Sequence, residues 1–288
     1  MQCTVCQQKM SRGIKKWHFK CPNCKHESAK FKDEINDSTA NQNLDEDLRL
    51  DALRPIRDAN FKEIIDVLKQ NKFKFKDKSA LDVGSAHGWF MEKLQKAGMK
   101  DVQGIEPDER IFEKFNKNVA NGYFPEVLSS KDKFDLISFN DVLEHIPDTR
   151  RTLNDCLAHL NKSGILVLNL PSSKGVLYRF SKILIKFNLK LPFERLWQKG
   201  LPSPHVHYYN PTNLKALAEE MGFKTIHVGK LKSVSRDGLK QRVGYDASDS
   251  SLPRKVKNYL LYITIFTLSP LFNVLPSDIQ LLVFEKTD

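Results

Sequence analysis

Residues 79–108 read SALDVGSAHGWFMEKLQKAGMKDVQGIEPD, and the order of patterns inside this stretch decides the fold. The run 79–84 (SALDVG) is short and apolar, as a buried strand is. Gly84 and Gly88 punctuate the turn after it, and residues 89–97 follow with helical spacing closed by Gly98. A second apolar run, 102–106, ends on Glu106. Strand, glycine turn, helix and strand make up the repeating unit of a parallel sheet. The two glycines let backbone approach a ligand closely, and the helix aims its first amides there. Glu106, about 20 residues beyond the turn, stands where a carboxylate can accept both hydroxyls of a ribose. Each acid also has a plainer reading, Asp82 as a cap of the turn and Glu106 as a cap of the next helix.

Outward from this unit the alternation continues. Helical spacing is expected over 109–119, a strand over 134–139 (FDLISF), a helix over 148–160 and a strand over 165–170 (ILVLNL). Residues 223–231 and 279–285 read as a closing hairpin pair. Before the unit, Phe61, Ile64, Ile65 and Leu68 repeat at helical spacing, and residues 33–53 read as an acidic linker that turns helical near Leu44.

The chain has 288 residues, 40% hydrophobic and 28% charged, which excludes a wholly disordered chain. Net charge is +11, distributed as +7 over residues 1–32, −6 over 33–53, +1 over 54–171 and +9 over 172–288. The two basic ends can meet nucleic acid, anionic lipid or a phosphorylated substrate, against the plainer reading of a solvated basic surface. No signal peptide opens the sequence, so a cytoplasmic location is expected.

Of five cysteines, four fall in the first 24 residues as Cys3-x-x-Cys6 and Cys21-x-x-Cys24. Two such knuckles close a tetrahedral site, and this spacing predicts a zinc ribbon over residues 1–32 rather than two disulfides or an iron site. With all four positions filled by sulfur the ion would be structural, and it would supply folding energy to a segment too short for its own core. His18 and His26 lie off the knuckle positions, and Cys156 reads as a small buried hydrophobe.

LDVGSAHGWF, VQGIEPDE, FDLISFNDVLEHIPD and GILVLNLPS, in that order, resemble a class I S-adenosylmethionine-dependent methyltransferase. The group most similar is that of the ubiquinone-biosynthesis O-methyltransferases and bacterial relatives encoded with surface-polysaccharide enzymes. The resemblance implies an α/β, Rossmann-like sheet of seven strands in a domain spanning 54–288. It places Asp82, Gly84, Ser85 and Gly88 at the methionine end of the cofactor, Glu106 on the ribose with Pro107 beyond it, and Asn140 and Asp141 facing the transferring methyl. Glu144, His145 and Asp148 fall in the family's L-E-H segment, where His145 either moves a proton or orients the loop. Two departures stand out. Ser85-Ala86-His87 makes a bulkier turn than the family's usual one, and no Asp occupies the expected adenine position, leaving backbone near Phe124 to serve.

On the acceptor side, Pro204-His205-Val206-His207-Tyr208-Tyr209 resembles the relatives' motif before a pocket-shaping helix. His205 or His207 is then the candidate base and Tyr208 a wall or donor, against a plain strand with one solvated face. Two insertions, about 174–203 and 250–277, are apolar with basic flanks. Leu177, Phe180, Leu184, Phe187 and Leu191 form one stripe, and Arg179, Lys182, Lys186 and Lys190 another, the pattern of an interfacial helix on anionic lipid. Residues 258–277 carry no charge, yet Pro270 and Pro276 argue against a clean span. The expected activity is methyl transfer to a small-molecule or saccharide acceptor, carried on a polyprenyl lipid at a membrane surface. The rivals are ribosomal-RNA base methylation, with Lys15, Lys16, Trp17 and Lys20 meeting RNA, and a non-catalytic scaffold whose ribbon binds a partner.

Overall fold

The computed structural model describes residues 1–31, 46–109, 118–239 and 252–287. In chain order these form β1 (Ser11–Arg12), β2 (His18–Lys20), β3 (Glu27–Ala29), α1 (Glu46–Gln70), β4 (Ser79–Val83), α2 (Trp89–Lys96), β5 (Asp101–Glu106), β6 (Val119–Asn121) and β7 (Phe134–Asn140). There follow α3 (Thr149–His159), β8 (Leu160–Pro171), α4 (Val176–Lys186), α5 (Leu191–Leu196), β9 (His207–Tyr208), α6 (Pro211–Glu220), β10 (Phe223–Leu231), α7 (Leu252–Leu268), α8 (Leu271–Val274) and β11 (Ile279–Lys286).

Seven strands make the main sheet, in the order β10-β11-β8-β7-β4-β5-β6. β4 runs parallel to both β5 and β7, and β10 and β11 close the far edge antiparallel as the expected hairpin pair. The chain leaves β4 toward β5 on one side and returns to β7 on the other, so the switch point lies at the tip of β4, where open α/β sheets bind ligands. Alternate residues of the central strands feed two cores: Leu81, Val83, Ile137 and Phe139 on one face, Ala80, Leu136, Val102 and Val167 on the other. Burial on both faces is why these strands are near-continuous apolar runs rather than alternating ones.

Three boundaries differ from the sequence reading. Val119 opens β6 instead of ending a helix, because Gly104 N–H donates to Asn118 O and Gly122 N–H to Glu106 O, ladder bonds that hold this segment on β5. The helix expected before it lies, over 110–117, outside the described residues. Leu160 opens β8 rather than ending α3, whose N-cap Asp148 accepts from Arg151 N–H. Third, α1 runs through the expected linker boundary with Pro55 inside it, burying Ile56, Phe61, Ile64, Ile65 and Leu68; tertiary packing of that stripe overrides the local signals. The linker segment 32–45 lies outside the described residues.

Residues 1–31 dock along the main domain. β3 pairs antiparallel with β9, making a four-stranded sheet β1-β2-β3-β9, and Cys3, Val5, Met10 and Cys21 share one core with Leu81, Phe139 and Leu214. Arg150 pins the contact from α3 by donating to Thr4 O at 2.7 Å and Val5 O at 2.6 Å.

The first insertion folds as α4 and α5. Asp278 caps α4, its carboxylate accepting from Leu177 N–H and Tyr178 N–H. Tyr178 and Ser181 face inward, while Leu177, Phe180, Ile183 and Phe187 stand exposed, so most of the apolar stripe is on the surface. Lys182 departs from the expected basic face: its ammonium turns in to Glu27 at 2.7 Å. The second insertion, α7 and α8, exposes Tyr259, Leu260, Leu261, Ile263, Leu271 and Val274. Among the described residues no helix is long and apolar enough to cross a membrane.

Candidate active site

The tips of β4 and β7 meet α1 and the start of α2 around one open cleft lined by Arg57, Asp82, Gly84, Ser85, His87, Asn140 and Asp141, with Phe61, Trp89 and Phe90 among its apolar walls. Gly88, and Glu106 at the tip of β5, stand outside that lining. Gly84 has φ of 67°, and a Cβ there would come within 2.5 Å of Val142 Cγ2, so glycine is required both for conformation and for space. Gly88, at φ 69°, turns the chain into α2. Glu106 joins the two strand tips: Oε2 accepts from Ala86 N–H at 2.8 Å and Oε1 from Asp108 N–H at 2.9 Å. Each oxygen keeps lone pairs for a further donor. Burial raises the Glu106 carboxyl, and the two amides oppose that rise.

Asp82 is buried at the base of the cleft. Its Oδ1 accepts from Ser138 Oγ at 2.7 Å and from Asn140 Nδ2 at 3.0 Å, and Asn169 Nδ2 in turn donates to Asn140 Oδ1. Burial pushes the Asp82 carboxyl up to about 7. Asp141 is held at φ 56°, in the left-handed region that aspartate tolerates better than most side chains. Its Oδ2 meets the Arg57 guanidinium at 3.0 Å. Ser85 is buried, its Oγ 2.6 Å from where a Cβ on Gly104 would be. Pro107 sits half-buried beyond Glu106 and does not line the cleft. Phe124 packs against Phe139 and His159.

Past Asp141 lies a second group of polar side chains. Glu144, His145 and His205 each offer a ligand atom within 4.8 Å of the others. Glu144 is 1% exposed and neither carboxyl oxygen has a hydrogen-bond partner. Burial, then the Asp141 charge, raises its carboxyl well above the usual range. Burial lowers both His145 and His205, favouring the neutral form of each ring. His145 Nδ1 lies 3.1 Å from Pro204 O, and the Gln198 amide nitrogen donates to His205 Nε2 at 2.8 Å, which puts the proton of the neutral His205 ring on Nδ1. Two neutral imidazoles beside a buried, uncompensated carboxyl can accept a proton or surround a divalent cation.

His207 is the correction on this side. Its Nδ1 meets Ser28 Oγ at 3.3 Å and its Nε2 meets Pro147 O at 3.0 Å, so both ring nitrogens are occupied in a buried seam. Tyr208 likewise is no pocket donor: its hydroxyl donates to Leu196 O and its ring stacks on Tyr178. Arg57 is the cleft residue that sequence reasoning missed. It lies four residues before Phe61 on the inward stripe of α1, so helical spacing carried to its N-terminal end would have found it.

The cysteine site passes the chemical test for zinc. All four sulfurs belong to free thiols, with Cys3–Cys24 at 3.5 Å and Cys6–Cys21 at 3.4 Å. Four ligands about 2.3 Å from an ion stand about 3.8 Å apart, far outside a disulfide bond of about 2.05 Å. Cys156 is buried and free, as expected.

A sheet with this strand order, a glycine turn at its switch point and an acid at the neighbouring tip define an S-adenosylmethionine-dependent methyltransferase. The Methyltransferase domain family matches residues 56–228, and the chain belongs to it. A Coxiella burnetii protein named ubiquinone biosynthesis O-methyltransferase is 26% identical over 170 residues, covering 55% of this chain and 69% of the relative. A Campylobacter fetus tRNA U34 carboxymethyltransferase is 34% identical over 133 residues, covering 39% of this chain and 47% of the relative. Among solved structures, a Haloferax volcanii methyltransferase in complex with the Trm112 methyltransferase activator gives a TM-score of 0.54 at 11% identity, covering 84% of this chain and 97% of that one. A Mesorhizobium loti S-adenosylmethionine-dependent methyltransferase gives 0.50 at 14% identity, covering 83% and 100%. At these identities the structural likeness speaks to the fold.

Proposed function

We propose that the enzyme methylates a hydroxyl of a saccharide or other small acceptor, carried on a polyprenyl lipid at a membrane surface. The observation that carries the oxygen assignment is the buried Glu144–His145–His205 group next to Asp141. S-adenosylmethionine supplies a methyl group on a sulfonium, a leaving group that needs no acid. What the chain must add is alignment, exclusion of water and, for a hydroxyl acceptor, a base within hydrogen-bond reach. In this reading Gly84 and Asp82 seat the methionine end, Glu106 takes the ribose, and Arg57 with Asp141 closes the mouth. The Glu144–His145–His205 group takes the acceptor proton, or holds a cation that would lower the acceptor's own pKa.

The membrane part rests on α4 and α7. The exposed Leu177, Phe180, Ile183 and Phe187 are flanked by Arg179 and Lys186, an apolar face with cationic edges that suits an anionic bilayer. An RNA acceptor is favoured by the Campylobacter relative and the basic first 32 residues, yet three of the four ribbon groups that would meet RNA are engaged within the fold. Trp17 packs among Phe31, Phe193 and Trp197, Lys15 pairs with Glu194, and Lys20 with Glu27. Mass spectrometry of surface glycans and lipid-linked precursors, from cells with and without the gene, tests the reading. The expected result is one species differing by a CH₂ group. The same difference appearing only in RNA nucleosides would overturn it.

A further inference from the structure

The seam between the ribbon and the acceptor-side strand does more than join two parts of the chain. β9 has only two residues, and a strand that short has no stability of its own. On one edge it is bound by β3, with Glu27 opposite Tyr208 and Ser28 opposite His207. Ala29 N–H and Ser28 Oγ both donate to Val206 O at 2.9 Å. On the other side Tyr209 bridges to Ser172, with Ser173 N–H donating to Tyr209 O, and Val206 N–H donates to Glu144 O. His205 is therefore suspended between the ribbon strand and the loop that carries Glu144.

The second knuckle continues the hold. Cys24 O accepts from Asn213 Nδ2, the residue that completes the capping box of α6. His26, two residues on, stacks on Tyr209 with ring centroids 4.7 Å apart. Glu27 forms a buried hub: its carboxylate meets His18 Nε2 at 2.8 Å, accepts from Tyr178 OH at 2.7 Å and from Lys182 Nζ at 2.7 and 3.0 Å. One ribbon residue thus ties β2 and β3 to α4, the helix with the exposed apolar face, while its own backbone lies opposite Tyr208.

From this we infer that the ribbon is a positioning element of the methyl-acceptor site, adding a strand to β9 so that His205 is held beside Glu144, with Glu27 as the residue that transmits that hold. This rests on the acceptor-side reading above. The cleft built from β4, β7, α1 and the start of α2 has no ribbon residue in its lining among the described residues. A loosened ribbon should therefore disarm acceptor handling while cofactor binding survives, which a ribbon serving only as core would not do.

The test uses the full chain loaded with Zn²⁺, the same protein after chelation, and a Glu27→Ala variant that retains all four cysteines. Amide exchange of the peptide spanning 203–210 and calorimetric affinity for S-adenosylmethionine are measured on each. Glu27→Ala is expected to keep its zinc, to bind the cofactor within about threefold of native and to exchange at 203–210 about tenfold faster or more, as local opening separate from global unfolding does. Glu27→Gln, which keeps the bonds to His18 and Tyr178, should fall between. Native exchange at 203–210 in both Glu27→Ala and the chelated protein would overturn the inference. So would loss of cofactor binding in step with faster exchange, which would make the ribbon mere core. Absence of cofactor binding in the native, zinc-loaded chain would instead overturn the methyltransferase reading itself.

Discussion

Replacing Asp82 with asparagine should yield a protein whose stability responds to pH differently from that of the native chain. Asp82 Oδ1 accepts from Ser138 Oγ and Asn140 Nδ2, and an asparagine oxygen can keep both bonds, so the substitution chiefly removes a titratable charge. Burial is the largest cause of the raised value, Glu106 adds to it, and the two hydrogen bonds oppose it. The carboxyl moves from 3.8 to about 7 on folding. Between those values the folded chain holds a proton that the unfolded chain has released. Its contribution to stability is therefore complete below pH 3.8 and lost as pH rises to about 7. At about 1.36 kcal/mol per pH unit the whole span is worth about 4 kcal/mol, of which about 2–3 kcal/mol falls between pH 5 and 8. The buried histidines titrate alike in both proteins and cancel in the difference. Urea unfolding of the cofactor-free proteins at pH 5, 6, 7 and 8 should show Asp82→Asn gaining on the native chain by that amount. Parallel stability curves would refute the claim that Asp82 is held protonated by its surroundings.

Five further outcomes are expected. Glu106→Ala should weaken S-adenosylmethionine binding tenfold or more, about 1.4 kcal/mol, in calorimetry; unchanged affinity would remove Glu106 from the ribose. Metal analysis should find one zinc per chain, lost together with thermal stability in Cys24→Ser. His205→Ala should lower methyl-transfer turnover by about 10²–10⁴-fold with cofactor affinity intact. His207→Ala should act differently, costing about 1–3 kcal/mol of stability through its two lost bonds. Phe180→Ser with Phe187→Ser should abolish flotation with anionic vesicles, since each buried phenylalanine is worth about 1.5–3 kcal/mol; undiminished flotation would place membrane contact elsewhere.

Local patterns carried much of this protein. The glycine turn, the acid at the next strand tip and the two cysteine knuckles are short-range features, in which residue type at fixed spacing already dictates backbone conformation or ligand geometry. They could be read from the chain, and in the structure the Glu106 carboxylate accepts from Ala86 N–H, joining the glycine turn to the next strand tip. The amphipathic stripe before β4 was legible too, but its N-terminal end was not, because Arg57 points into the cleft only once α1 has packed across the sheet edge.

Other features depend on contacts between residues far apart in the chain, which no local pattern encodes. His205 and His207 are two residues apart and look equivalent in sequence. Tertiary structure separates them by giving both nitrogens of His207 to the ribbon seam and the Pro147 carbonyl while setting His205 beside Glu144 and Gln198. Lys182 fits a basic surface stripe by spacing, yet a buried carboxylate 155 residues earlier draws it inward, because Glu27 could not remain charged there without cations around it. The sequence by itself determined the sheet, its cofactor turn and a four-sulfur site. Only the folded chain decided that the sulfur site leans on the acceptor strand, since that pairing joins residues 27–29 to 206–208 through backbone hydrogen bonds that any side chain could accompany.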